Sequence, residues 1–179
     1  MDTLLDILKY TLPAIIVLIA NAIIVNKFLI TEMRKRQMAI FQDGLQISLR
    51  LRLQAYERLT LLLERVQPRS IIPRLYHSGM TVQGLQYALI HSIKQEFEHN
   101  LSQQIYVSDR VWQTVVGIKE QEMAMINRIA ATLKPEASAK ELHHRILDYI
   151  LKSEEDKLPI QIGLSLIQQE AKLVLSQKA

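Results

Sequence analysis

The sequence predicts an all-α protein: an N-terminal transmembrane helix continuing into a long central helix, then a compact domain of about four to five helices. Three observations predict it. Tyr10 to Asn26 holds no charged side chain, and Lys27, Arg34, Lys35 and Arg36 follow closely. Beyond them, apolar residues recur at helical rather than strand spacing. Finally, Thr81, Ser108 and Ser138 each stand just before such a stretch, as helix-capping residues do.

The first stretch reads as a membrane anchor. A helix crosses a hydrocarbon core in about 20 residues, so Tyr10 to Ile30 suffices if Lys27 snorkels to the interface. Leu12, Ile15, Ile16, Val17, Leu18, Ile19, Ile23, Ile24 and Val25 together favour insertion by ~3 to 5 kcal/mol. Pro13 is expected in the first turn of the span, where its missing N–H has no partner to lose. Ala20-Asn21-Ala22 imitates a signal-peptide cleavage site, but Asp2 and Asp6 ahead of the run oppose an export signal. The basic cluster Arg34, Lys35 and Arg36 predicts an uncleaved anchor with its N-terminus outside and the following chain in the cytoplasm. The expected division is a transmembrane anchor over 1–30, a juxtamembrane stalk over 31–44 and a helical cytosolic domain over 45–179.

From Leu45 to Val66, the residues Leu45, Leu49, Tyr56, Leu59, Leu63 and Val66 follow a seven-residue repeat, and Ile47, Leu51, Leu53, Leu61 and Leu62 add apolar surface elsewhere. A coiled coil needs only the narrow seam, which Arg52 interrupts, so this helix is expected at the centre of a packed domain or oligomer core. Ile47 to Leu53 alternates like a strand, yet the helix-forming residues on its C-terminal side overrule that. Gln67-Pro68 ends the helix, and Ser70 to Leu75 forms a short one. Thr81 caps a helix with the face Val82, Leu85, Leu89, Ile93 and Phe97, running out near Asn100. Ser102 to Val107 is too short to assign. Ser108-Asp109 starts a helix whose inner face is Val111, Trp112, Val115, Ile118, Ile126, Ile129 and Leu133, stopped by Pro135. Ser138-x-x-Glu141 is a capping box for a helix through Leu151. Glu154-Glu155-Asp156 falls in a solvated turn before Pro159 opens the next helix.

Composition bounds the chemistry. With no cysteine, neither a disulfide framework nor a thiolate zinc site is possible. The net charge of +4 is concentrated near the membrane, residues 27–66 alone carrying +4. Lys27, Arg34, Lys35 and Arg36 are therefore expected to contact anionic lipid headgroups, and nucleic acid is not an expected partner. The five glycines stand singly, so no phosphate-cradling loop can be drawn, and no cofactor is expected. Two Glu-x-x-His pairs, Glu96/His99 and Glu141/His144, suggest the metal-binding pattern of a di-metal carboxylate bundle, with Glu57 or Glu64 and Glu120 or Glu122 as lone carboxylates. Order along the chain fits, but one pair ends its helix while the other begins its own, which would place them at opposite ends of a bundle. Chance pairing of common residues is preferred.

Gln54 to Leu59 with Leu63-Glu64-Arg65 and Gln67-Pro68, then Ser102 to Ser108 ahead of Trp112, resembles a family of small uncharacterised bacterial proteins with one N-terminal membrane segment and a helical remainder. The likeness implies that architecture and supplies no catalytic residue. Tyr56, Glu57 and Arg58 among apolar neighbours form a possible partner-binding site. The plainer account makes Tyr56 core and pairs the two charges with adjacent helices. Trp112 is either an interface anchor or core. The expected function is a membrane-anchored scaffold or adaptor at the cytoplasmic face of a bacterial inner membrane, docking a protein partner or a second copy. The alternatives are an enzyme acting on a lipid-linked substrate and an accessory subunit of a transport or secretion complex, with Asn21 and Asn26 bonding to other membrane helices.

Overall fold

The computed structural model describes residues 2–152 and 158–176, and the acidic turn expected at Glu154 to Asp156 lies outside them. The described residues form six α-helices and no strand: α1 (Asp2–Val66), α2 (Pro68–Leu75), α3 (Val82–His99), α4 (Asp109–Ala130), α5 (Ala139–Lys152) and α6 (Pro159–Ser176). The chain divides into two compact units, residues 1–48 and 49–179.

The first unit is helical from Asp2 onward. Pro13 therefore lies inside α1 and not in its first turn, because the helix begins eight residues before Tyr10. The apolar side chains Ile15, Ile16, Val17, Leu18, Ile19, Ile23 and Ile24 are all exposed, Leu18 by 71%. This helix is long and apolar enough to cross a membrane, and none of its apolar window is buried.

The second unit builds one core. Ala55, Tyr56, Leu59, Leu62, Leu63 and Val66 are buried, whereas Leu51 and Leu61 face outward. The stretch from Ile47 to Leu53 is helical, as expected. Gln67 is extended (φ −60°, ψ 140°), the conformation favoured before proline, so α1 breaks there and Pro68 takes the first position of α2, two residues earlier than the expected start at Ser70. A turn from His77 to Met80 puts Gly79 at φ +85°, the left-handed region open to glycine at low cost.

Thr81 caps α3, its side chain accepting from the Gly84 amide at 3.1 Å. Val82, Leu85, Leu89 and Ile93 are buried as their spacing requires, and Phe97 packs against the core. The unassigned stretch is a 3-10 turn over Leu101–Ile105. Ser108 then caps α4 by accepting from the Val111 amide at 3.2 Å. That helix ends at Ala130, ahead of Pro135, and two turns close it through Thr132 N–H to Ile129 O and Leu133 N–H to Ala130 O.

Among the described residues Ser138 and Glu141 form no reciprocal capping box at the start of α5. The Ser138 hydroxyl accepts from the Lys140 amide, and its backbone pairs in an isolated antiparallel bridge with Thr81. Val82 N–H reaches Ala137 O at 2.8 Å, and Ala139 N–H reaches Met80 O at 2.9 Å. Helices α3 and α5 thus start side by side, with α4 returning between them along the chain. Burying the large apolar residues of this core contributes about 1.5 to 3 kcal/mol each relative to exposure.

Helix α6 closes against α1 and α4 through Gly163. A Cβ there would collide with Ile118 and stand 3.0 Å from Leu63 Cδ1, so any larger residue would force these core side chains to shift.

Candidate functional site

Helix α4 turns a stripe inward at Val111, Val115, Ile118, Met125 and Ile126, and the same spacing carries one acidic residue into it. Glu122 is 6% exposed, and its Oε2 has no hydrogen-bond partner among the described residues. Burial alone pushes its carboxyl up to about 7. The sequence signal was available: Glu122 stands four residues after Ile118 and four before Ile126.

Glu122 lines a cavity of about 580 Å³, within the range of small-molecule sites. Met125, Tyr149, Ile150 and Ile160 supply apolar walls, while Arg69, Arg128 and Lys152 bring positive charge. The rim thus comes from α4, α5 and α6, with Pro68 of α2 completing it.

A second polar cluster ties three helices. Glu170 on α6 accepts from Tyr56 at 3.2 Å through Oε2 and from Ser108 at 2.6 Å through Oε1. Tyr56 is core, 2% exposed, and burial raises its phenol above the ordinary value, with the Glu170 charge adding to the shift. Glu57 and Arg58 are exposed and form no ion pair among the described residues, so the structure does not pair them with adjacent helices. Trp112 is 9% exposed and stacks on Phe97, ring centroids 5.3 Å apart, placing it in the core.

The two Glu-x-x-His pairs are not brought together. Glu96 accepts from Arg65 Nε at 2.8 Å, with Arg65 Nη2 at 2.7 Å and Arg74 Nη1 at 4.0 Å. It lies about 22 Å along α3 from the bridge at Thr81, whereas Glu141 is in the first turn of α5 beside that bridge. Glu141 and His144 are exposed, as is His99. Among the described residues no three His, Asp or Glu side chains converge as a metal site. In the first unit, Lys27, Arg34, Lys35 and Arg36 are all exposed, with Lys35 3.6 Å from Glu32.

Residues 2–174 match a family of unknown function, DUF7935. The chain belongs to that family. The match spans both the apolar helix and the helical domain. Comparison with curated proteins and with solved structures gives no match.

Proposed function

We propose that the chain is a single-pass membrane-anchored adaptor whose helical domain docks a protein partner at the cytoplasmic face. The observation that carries this reading is the exposed apolar run of α1 from Leu12 to Ile30. A core helix of a water-soluble protein would bury such side chains, and leaving this many in water opposes the hydrophobic effect. Lys27 near the end of the run and Arg34, Lys35 and Arg36 after it supply the positive charge that favours the cytoplasmic side and anionic lipid. For docking, the outer face of α1 within the second unit presents Leu51, Gln54, Glu57, Arg58 and Leu61, all exposed. An apolar pair flanking both signs of charge is a surface a partner can read.

The absence of native cysteine makes the test direct. Single cysteines replace Lys9, Gln42 and Glu120 in the full chain, and intact cells are treated with a membrane-impermeant maleimide. Labelling at position 9 alone, with the protein resisting alkaline carbonate extraction, is the expected result. Labelling at 42 and 120, or release by carbonate, rejects the topology. A photo-crosslinking residue at Glu57 or Leu61 then captures the partner, and a ladder of this chain alone identifies self-association instead.

A further inference from the structure

Past its apolar span, α1 continues as an unbroken helix that still exposes Met33, Ile40 and Ile47, Ile40 by 72%. These three are spaced by seven, and the row extends back through Asn26 and Ile19. Ile16, Ile23, Ile30, Gln37 and Gly44 form a companion row, each three residues ahead of a member of the first. Together they are the alternating three- and four-residue spacing of a coiled-coil seam, and all are exposed. Residues 16–47 also carry six charged side chains, Lys27, Glu32, Arg34, Lys35, Arg36 and Asp43, and none falls on either row. Each of the other six registers of the same repeat places at least one of them on its seam. A straight helix drifts by about 20° per heptad from a strict seven-residue repeat, so such a seam stays on one face only where helices supercoil around each other. Lipid and a globular surface impose no such period.

We infer that α1 pairs along this seam with α1 of a second copy, as a parallel, in-register coiled coil that begins in the membrane and continues beyond it. The parallel register rests on the anchored reading above: copies inserted in one orientation hold equal residues at equal height, so each row meets itself. Asn26 and Gln37 then face their counterparts, and a side-chain amide both donates and accepts. Arg34 and Arg36 flank the seam, and the residues they meet across a parallel pair, Leu29 and Phe41, are uncharged, so no like charges are apposed. Within lipid, apolar side chains gain little by pairing, whereas Ile40 and Ile47, beyond the basic cluster, leave water when they do.

The test uses the full chain in isolated membranes, with single cysteines replacing Ile40 or Ile47 on the seam and Gln42 or Gln46 on the opposite side of the helix. Oxidation by copper phenanthroline is read on non-reducing gels. A disulfide cannot bridge residues whose Cα atoms lie more than about 7 Å apart, so Ile40→Cys and Ile47→Cys are expected to give about ten-fold more disulfide dimer than Gln42→Cys and Gln46→Cys. Adding Ile40→Lys to the Ile47→Cys chain removes most of its dimer, and adding Gln42→Lys does not. Equal yields at the four positions, no dimer at Ile40→Cys and Ile47→Cys, or a yield untouched by Ile40→Lys overturns the inference. Carbonate extraction of the same samples separates it from the anchored reading: a retained chain without seam disulfides rejects the pairing alone, and a released chain with them rejects the anchor while upholding the pairing.

Discussion

The hydroxyl of Ser108 donates to Oε1 of Glu170 at 2.6 Å while accepting from the Val111 amide, so the residue that starts α4 also fastens α6. The carboxylate therefore sits at a helix N-terminus, where negative charge is favoured. Removing the hydroxyl takes away a cap and a charge-assisted bond together. Ser108→Ala is expected to destabilise the domain by about 1 to 3 kcal/mol. Combined with Glu170→Gln in a double-mutant cycle, it should show a coupling of about 0.5 to 2 kcal/mol in urea denaturation. Simple additivity would mean that the contact contributes nothing beyond its separate parts.

Glu122 predicts a pH dependence. Its carboxyl is raised from 4.5 to about 7 in the folded state, so below pH 4.5 both folded and unfolded forms are protonated and no penalty exists. Between 4.5 and about 7 the unfolded chain releases the proton first, and the contribution of this group lowers stability as pH rises. Above about 7 the penalty is constant, on the order of 3 kcal/mol. Glu122→Gln should be the more stable protein at pH 8 by about 1 to 3 kcal/mol, with the gap closing towards pH 4.5. A pH-independent difference between the two melting curves would contradict this.

Gly163 and Gly117 make a matched pair of helical glycines with opposite expectations. Alanine at 163 would push into Ile118 and Leu63, both in the core, and overpacking of this kind costs about 1 to 3 kcal/mol, more than the helix propensity it gains. At 117 nothing lies within 4 Å, so alanine should stabilise by about 0.5 to 1 kcal/mol. Thermal denaturation of the two single variants decides the matter by sign.

The Arg65–Glu96 pair is strong in geometry and weak in setting. Arg65 is 56% exposed, so solvent screening holds the expected loss in Glu96→Gln to about 0.5 to 1 kcal/mol. Arg74 also donates to the Arg65 carbonyl at 2.7 Å, closing the C-terminal end of α1. Arg74→Ala should therefore fray that end, seen as faster amide exchange in the last turn of α1 and the first of α2, while Glu96→Gln leaves the exchange unchanged.

Much of this architecture was legible because it rests on local chemistry. Thr81 and Ser108 are caps, Gln67-Pro68 is a break, and the faces of α3 and α4 follow one spacing. What escaped depends on contacts between distant residues. No local pattern announces that Thr81 and Ser138 pair, which replaces the capping box expected from Glu141. The end of α4 at Ala130 is fixed by two backbone turns, earlier than Pro135 demands. Tyr56 and Trp112 drew attention as unusual residues on apolar faces, and both belong to the core. Glu122 lay in plain view within the α4 stripe, but its significance needs the cavity that α5 and α6 complete.

The closure of α6 over α1 has a consequence during synthesis. Leu63 must meet Gly163, and Tyr56 must meet Glu170, across most of the domain's sequence. Until Pro159–Ser176 leaves the ribosome, the face of α1 bearing Tyr56 and Leu63 lacks its covering helix. The nascent chain therefore lacks both of these α6 contacts for most of the time the domain is being translated, and the core is completed only when the last helix arrives.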